Sequence, residues 1–179
     1  MLNIELKARC EDLGELRGRC ESLGAEGQEP ERQVDTYFCV TSGRLKLRES
    51  LESAAELIHY IRDDMAGPQE SHYDLYPVED PEGLKAILAN ALGISVTVAK
   101  RRETFVLGNV RIHLDKVQGL GSFVELQGSV DEPRELPLVA DEIQGVQQAL
   151  GIDPQSLVKE SYAALVARAE EAERARYAN

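Results

Sequence analysis

Ionisable side chains recur two residues apart along several short segments of this chain. Lys46 and Arg48 flank Leu47, Lys100 and Arg102 flank Arg101, and Arg62 follows Tyr60. Glu5, Lys7 and Arg9 alternate with Leu6 and Ala8, Arg111, His113 and Asp115 with Ile112 and Leu114, and Glu125 and Gln127 with Leu126. Residues two apart on an extended strand point the same way, so each segment presents one ionisable face and one apolar face. If the ionisable faces converge on an enclosed space, like charges repel and are costly to desolvate, and the space calls for a polyanion. Lys and Arg from separate strands bind phosphate oxygens by charge-assisted, often bidentate bonds. Glu5, Asp115 and Glu125 add hard oxygen ligands for Mg²⁺ or Mn²⁺. Cations with a few acids in one lumen describe a metal-triphosphate site.

The competing reading is a sheet with its polar face in water. A solvated face of an acidic chain should be rich in Asp and Glu. Instead, Lys7, Arg9, Arg44, Lys46, Arg48, Arg62, Lys100, Arg101, Arg102, Arg111 and Lys116, eleven of the twenty Lys and Arg, fall in the expected strands.

Period-two alternation predicts those strands over residues 3–9, 34–40, 44–50, 56–63, 71–78, 94–106, 110–117 and 122–130. Turn chemistry separates them at Ser42-Gly43, Gly67-Pro68, Gly108-Asn109 and Gly119-Leu120-Gly121. Helical spacing of Leu13, Leu16, Cys20 and Leu23 predicts a helix from Glu11 to a cap at Gly24. Asp80-Pro81 starts another helix, with Leu84, Ile87, Leu88 and Leu92 as its stripe, ending at Gly93. Two more close the chain. One carries Val139, Ile143, Val146 and Leu150; the other starts at Asp153-Pro154, runs through Leu157, Leu165 and Val166, and includes Lys159. A helical tail follows from about residue 167. The apolar stripes of the three helices after Pro81 need cover, which the outer face of a barrel supplies. The fold class expected is α+β, an antiparallel barrel with flanking and C-terminal helices.

The 179 residues suit one domain, 1–179. No apolar stretch is long enough to span a bilayer, and no charged-then-apolar leader follows Met1, so a cytoplasmic protein with no membrane partner is expected. A net charge of -12 argues against nucleic acid as a partner. Cys10, Cys20 and Cys39 lack CxxC spacing and are expected to be buried free thiols. His113 is expected in a hydrogen-bonded structural role rather than as a proton shuttle. The residues leave a homodimer open.

Asn3-Ile4-Glu5-Leu6-Lys7 resembles the ExExK signature of the CYTH family, the class IV adenylyl cyclase and thiamine triphosphatase group. Gln33-Val34-Asp35-Thr36-Tyr37-Phe38, Gly43-Arg44-Leu45-Lys46-Leu47-Arg48-Glu49, Leu57-Ile58-His59-Tyr60-Ile61-Arg62, Lys100-Arg101-Arg102 and the run from Arg111 to Gly121 continue the resemblance in order, over roughly residues 2–165. The resemblance implies a triphosphate tunnel of eight antiparallel strands. Its substrate would be ATP or another nucleoside triphosphate, thiamine triphosphate or inorganic polyphosphate, with Mg²⁺ or Mn²⁺ as cofactor. It implies phosphate binding by Lys7, Arg9, Lys46, Arg48, Arg62, Lys100, Arg102 and Arg111. Metal would be held by Glu5, Asp115 and Glu125 with Asn3 and Gln127, and Glu5, Lys7 and Asp115 would form the catalytic set.

Asn3 and Gln127 stand where the family's pattern has acids. Each removes a negative charge and keeps a carbonyl oxygen. A unit charge at close range is worth on the order of 4 kcal/mol at an effective dielectric near 20, so metal binding should weaken more than phosphate binding. The alternative function is therefore a nucleotide- or polyphosphate-binding module with little turnover. A barrel carrying an apolar ligand fits the charged faces poorly.

Overall fold

The structure, a computed structural model, describes residues 1–62 and 67–177. Nine strands run β1 Leu2–Arg9, β2 Glu26–Gly27, β3 Glu31–Phe38, β4 Arg44–Ser50, β5 Ala55–Arg62, β6 Gln69–Val78, β7 Ile94–Leu107, β8 Val110–Val117 and β9 Gly121–Val130. Four α-helices accompany them among the described residues: α1 Leu13–Ser22, α2 Pro81–Leu92, α3 Leu136–Ala149 and α4 Tyr162–Tyr177. The predicted strands recur with ends shifted by a few residues, the largest shift being the start of β3. Residue 63, the last of the fourth predicted strand, lies outside the described residues, as do 178 and 179 of the tail.

Eight strands close into an antiparallel barrel in the order β7-β3-β4-β5-β6-β1-β9-β8, with β2 added at the edge of β7. Closure depends on the length of β7. Its residues Ile94 to Arg102 pair with β3, and Lys100 to Leu107 pair with β8, so only residues 100–102 pair with both of these barrel neighbours. The β3–β4 turn needs glycine at Gly43, where φ is +64° and a Cβ would lie 2.7 Å from the Tyr60 carbonyl oxygen.

The pleat sorts the side chains as the alternation predicts. Ile4, Leu6 and Ala8 of β1, Val110, Ile112 and Leu114 of β8, and Val124 and Leu126 of β9 point outward. There they are buried beneath Val139, Ile143 and Val146 of α3 and Leu16 and Cys20 of α1. Each large aliphatic side chain so buried contributes roughly 1.5–3 kcal/mol. The helix covers the strands closely at Gly128, where a Cβ would meet Val139 Cγ1 at 2.5 Å.

Three expectations need correction. The three later helices do not all cover the outer wall: α3 does, whereas α2 has no buried residue and leaves Ile87 65% exposed. The first turn of α4 instead packs Tyr162, Ala163 and Leu165 against Val96, Val98, Val117 and Phe123, which lie on the inward faces of β7, β8 and β9. Nor does that helix start at Asp153. Pro154–Ser156 forms a single 3-10 turn, after which Leu157 bridges to Ala8 and the Val158 amide donates to the Lys7 carbonyl at 2.8 Å. Pairing with β1 holds this segment extended, so Leu157 and Lys159 precede the helix. The cysteines are free, but only Cys20 is buried; Cys10 is half-buried and Cys39 exposed. No helix of the described residues is long and apolar enough to cross a membrane.

Gly128→Ala should lower stability by about 1–3 kcal/mol in chemical denaturation, because a methyl there must push α3 off the barrel.

Candidate active site in the barrel interior

The inward faces enclose a cavity of about 420 Å³, within the range of small-molecule sites. Lys7, Lys46, Arg48, Arg62, Lys100, Arg102 and Arg111 line it together with Glu5, Glu125, Asn3 and Gln127. The lumen carries more counter-charges than the few acids expected there. Glu31, Asp35 and Glu56 line it as well.

Asp35 on β3 is the hub of one wall. Its buried carboxylate accepts from Lys46 Nζ at 3.0 Å, Lys100 Nζ at 2.9 Å, and Arg48 Nε and Nη2 at 2.8 and 3.0 Å. Strand register sets this up, since Asp35 lies opposite Arg48, and the adjacent pairs are Tyr37 with Lys46 and Gln33 with Lys100. Burial alone would raise the Asp35 carboxyl, but Arg48, Lys100 and Lys46 together pull it well below the usual carboxylate range. Burial pushes the Lys46 ammonium down to about 8, with Arg48 adding to the fall and Asp35 opposing it. Burial likewise takes Lys100 down to about 7 against the pull of Asp35.

The adjoining wall is organised by Arg102. Its Nε and Nη2 donate to Asp115 Oδ1 and Oδ2 at 2.7 and 2.6 Å, and Nη2 also reaches Glu125 at 2.8 Å. The Tyr162 hydroxyl of α4 donates to Asp115 Oδ2 at 2.8 Å, and Lys7 Nζ sits 4.1 Å from the centre of the Tyr162 ring. Burial opposes ionisation of Glu125, but Lys7 and Arg102 hold its carboxyl low. Glu5 behaves differently. Burial and the neighbouring Glu125 raise its pKa despite Arg62 at 3.3 Å. His113 is kept neutral, its pKa taken down to about 3 by burial and Arg102. It hydrogen-bonds Thr104 through Nδ1 at 3.0 Å and Gln127 Oε1 through Nε2 at 3.4 Å.

Two sequence-derived candidates lie outside the cavity lining. Arg9 is exposed, its guanidinium over the Phe123 ring and donating to the Leu120 carbonyl at 3.3 Å. Asp115 is fully buried behind Arg102, with both oxygens already accepting, so it reaches the lumen only through that guanidinium. Arg111 is exposed on the tunnel wall and has no ion-pair partner among the described residues. Sequence reasoning passed over Asp35, although it shares the face of Gln33 and Tyr37, and Tyr162, which carries no periodic signal.

Among the described residues no group of three or more His, Cys, Asp and Glu is arranged as a ready cation site. Mg²⁺, however, is commonly held by one or two carboxylates with substrate phosphates and water. Asn3 Oδ1 is buried without a hydrogen-bond partner among the described residues, on the same strand face as Glu5. An orphaned acceptor costs free energy, and a cation arriving with phosphates would satisfy it. The donor set fits such a cation.

The family model of the CYTH domain matches residues 1–162. The chain belongs to the CYTH domain family. That family is one of metal-dependent triphosphate-tunnel proteins. A Methanocaldococcus jannaschii protein named as a candidate adenylate cyclase is 24% identical over 172 residues, covering 90% of this CYTH chain and 97% of the relative. Adenylate cyclase CyaB of Aeromonas hydrophila is 22% identical over 171 residues, covering 90% and 87%. Among solved structures, a Pyrococcus horikoshii protein superposes with a TM-score of 0.81 at 24% identity, covering 91% of this chain and 98% of its own. A Hippeastrum adenylyl cyclase candidate, described as having a dominant triphosphatase activity, gives 0.62 at 14% identity, covering 91% and 94%.

The low lysine pKa values set the direction of a pH effect. Raising pH through 7 and 8 discharges Lys100 and Lys46 in the free protein, whereas a bound anion favours their charged forms. Metal-free tripolyphosphate affinity should fall about tenfold or more between pH 7 and 9 in calorimetric titration, and Lys100→Arg should flatten that profile. Asp35→Asn should destabilise the free protein by about 3–5 kcal/mol, the scale for breaking a buried ion pair. Added tripolyphosphate should restore part of the loss in thermal melts.

Proposed function

We propose that this CYTH protein is a metal-dependent enzyme that holds a triphosphate inside the barrel, cyclising ATP to cyclic AMP or hydrolysing an organic or inorganic triphosphate. The observation that carries the reading is the convergence of seven cations, from β1, β4, β5, β7 and β8, on a cavity that also presents Glu5 and Glu125. The names of the two curated relatives support ATP as the first substrate to try. So does the wall itself, where Tyr37, Ile58, Tyr60, Tyr73 and Leu75 offer apolar surface for a base beside the cations.

A triphosphate entering the tunnel competes with Asp35 for Lys46, Arg48 and Lys100, while Arg62 and Arg111 grip from the sides. Cations fixed before the substrate arrives stabilise charge developing on the equatorial phosphoryl oxygens without reorganising at the moment of reaction. Asp115 and Tyr162 act through Arg102, holding its guanidinium in one orientation. When bound, the divalent cation would neutralise phosphate charge and polarise the phosphorus under attack. Glu5 and Glu125, with the carbonyl oxygens of Asn3 and Gln127, would hold it. A ribose 3' hydroxyl attacking the α-phosphorus would give cyclic AMP with pyrophosphate as leaving group and loss of the hydroxyl proton; water attacking the terminal phosphorus would give phosphate and the diphosphate.

Incubation with ATP, thiamine triphosphate and tripolyphosphate, each with Mg²⁺ or Mn²⁺, should show metal-dependent turnover of at least one, read as cyclic AMP or phosphate. No turnover of any of the three would sink the reading. Glu5→Gln should lower that turnover about a hundredfold or more while leaving metal-free tripolyphosphate binding in place. Asn3→Glu with Gln127→Glu should tighten Mn²⁺ binding by more than about tenfold, since each restores a charge at close range.

A further inference from the structure

A second and larger hollow, of about 1470 Å³, lies on the outside of the barrel. The β4–β5 turn, the start of α2 and the outward faces of β3, β7 and β8 form its walls. Its surface is largely apolar, with Val34, Ala55, Val78 and Ala99 in the lining and Leu51, 77% exposed, at the turn. Cations cross the same wall in one row. Arg32 lies directly opposite Arg101 in the β3–β7 ladder, and Arg101 directly opposite Lys116 in the β7–β8 ladder.

Like charges directly opposite on adjacent strands are destabilising. Of the three only Arg32 has an ion-pair partner among the described residues, Glu52 at 3.5 Å; Glu103, two residues beyond Arg101, is paired with Arg17 instead. The row also stands out against a chain whose net charge is -12. None of the three faces the tunnel, so the triphosphate chemistry does not account for them.

We propose that this outer groove docks an extended acidic segment of a partner protein, with apolar side chains spaced among its carboxylates. The carboxylates meet Arg32, Arg101 and Lys116, and the apolar side chains cover Val34, Leu51 and Val78. Charge complementarity selects the occupant, because the acidic remainder of the surface repels such a segment and this wall attracts it. The apolar lining favours a peptide over a phosphate polymer, whose binding rests on cations alone. The proposal is independent of what the tunnel does.

Fluorescence anisotropy with a labelled synthetic peptide of repeating Glu-Glu-Leu sequence tests it, with saturating tripolyphosphate present to fill the tunnel. Saturable, salt-sensitive binding is expected. Arg101→Gln with Lys116→Gln should weaken it about tenfold or more, and Leu51→Ser about threefold or more. Both variants should keep the tripolyphosphate affinity of the parent, and the double variant should not melt earlier, since a repulsive row has been removed. The proposal is overturned by no saturable binding, by equal binding to the double variant, or by polyglutamate or a single-stranded oligonucleotide binding as tightly as the Glu-Glu-Leu peptide.

Discussion

Seven cations turned into one barrel would repel one another in a medium that screens poorly, and the arrangement exists because carboxylates are interleaved with them. Asp35 shows the principle most clearly, since a single carboxylate takes bonds from Lys46, Arg48 and Lys100. Asp115 and Glu125 do the same for Arg102. The interior is therefore a lattice of alternating charge rather than a basic pit, and Lys46, Arg48, Lys100 and Arg102 are oriented before any ligand arrives. A polyphosphate does not fill an electrostatic void here. Under the proposed function it would compete with Asp35 for Lys46, Arg48 and Lys100 and bring more charge to them.

Much of this was legible in the sequence, for a reason that also limits the reading. Period-two alternation reports which side chains share a face, so the inward placement of Lys7, Lys46, Arg62, Lys100 and Arg111 follows from local pattern alone once the barrel closes. Partnership between strands is not local. Nothing near Asp35 says that it will meet Lys100, which lies 65 residues further on. The alternation that points Asp115 inward likewise does not disclose that Arg102 and Tyr162 stand between it and the cavity, nor that Arg9 leaves the lumen at the end of its strand. The start of α4 was misplaced for a related reason. Asp153-Pro154 is a good local start signal, but pairing of Leu157 and Val158 with β1 overrides it.

The helices divide the labour of covering the barrel. The α3 stripe buries the outward faces of β1, β8 and β9, and the beginning of α4 closes onto inward-facing side chains of β7, β8 and β9. Tyr162 thereby joins the lumen to the C-terminal segment, touching Lys7 with its ring and Asp115 with its hydroxyl. The opposite flank, under α2, is less fully covered, and the sparse packing there leaves the outer surface of β3 and β4 partly open.

The double pairing of β7 links architecture to chemistry. The hoop is fastened to both neighbours only at residues 100–102, and Lys100 and Arg102, which face the lumen, belong to that clasp. Drift at either position thus acts on the ring as well as on its contents. Selection can retune the chemistry more freely on strands away from the fastening, whereas at the clasp itself each change must also leave the circle shut.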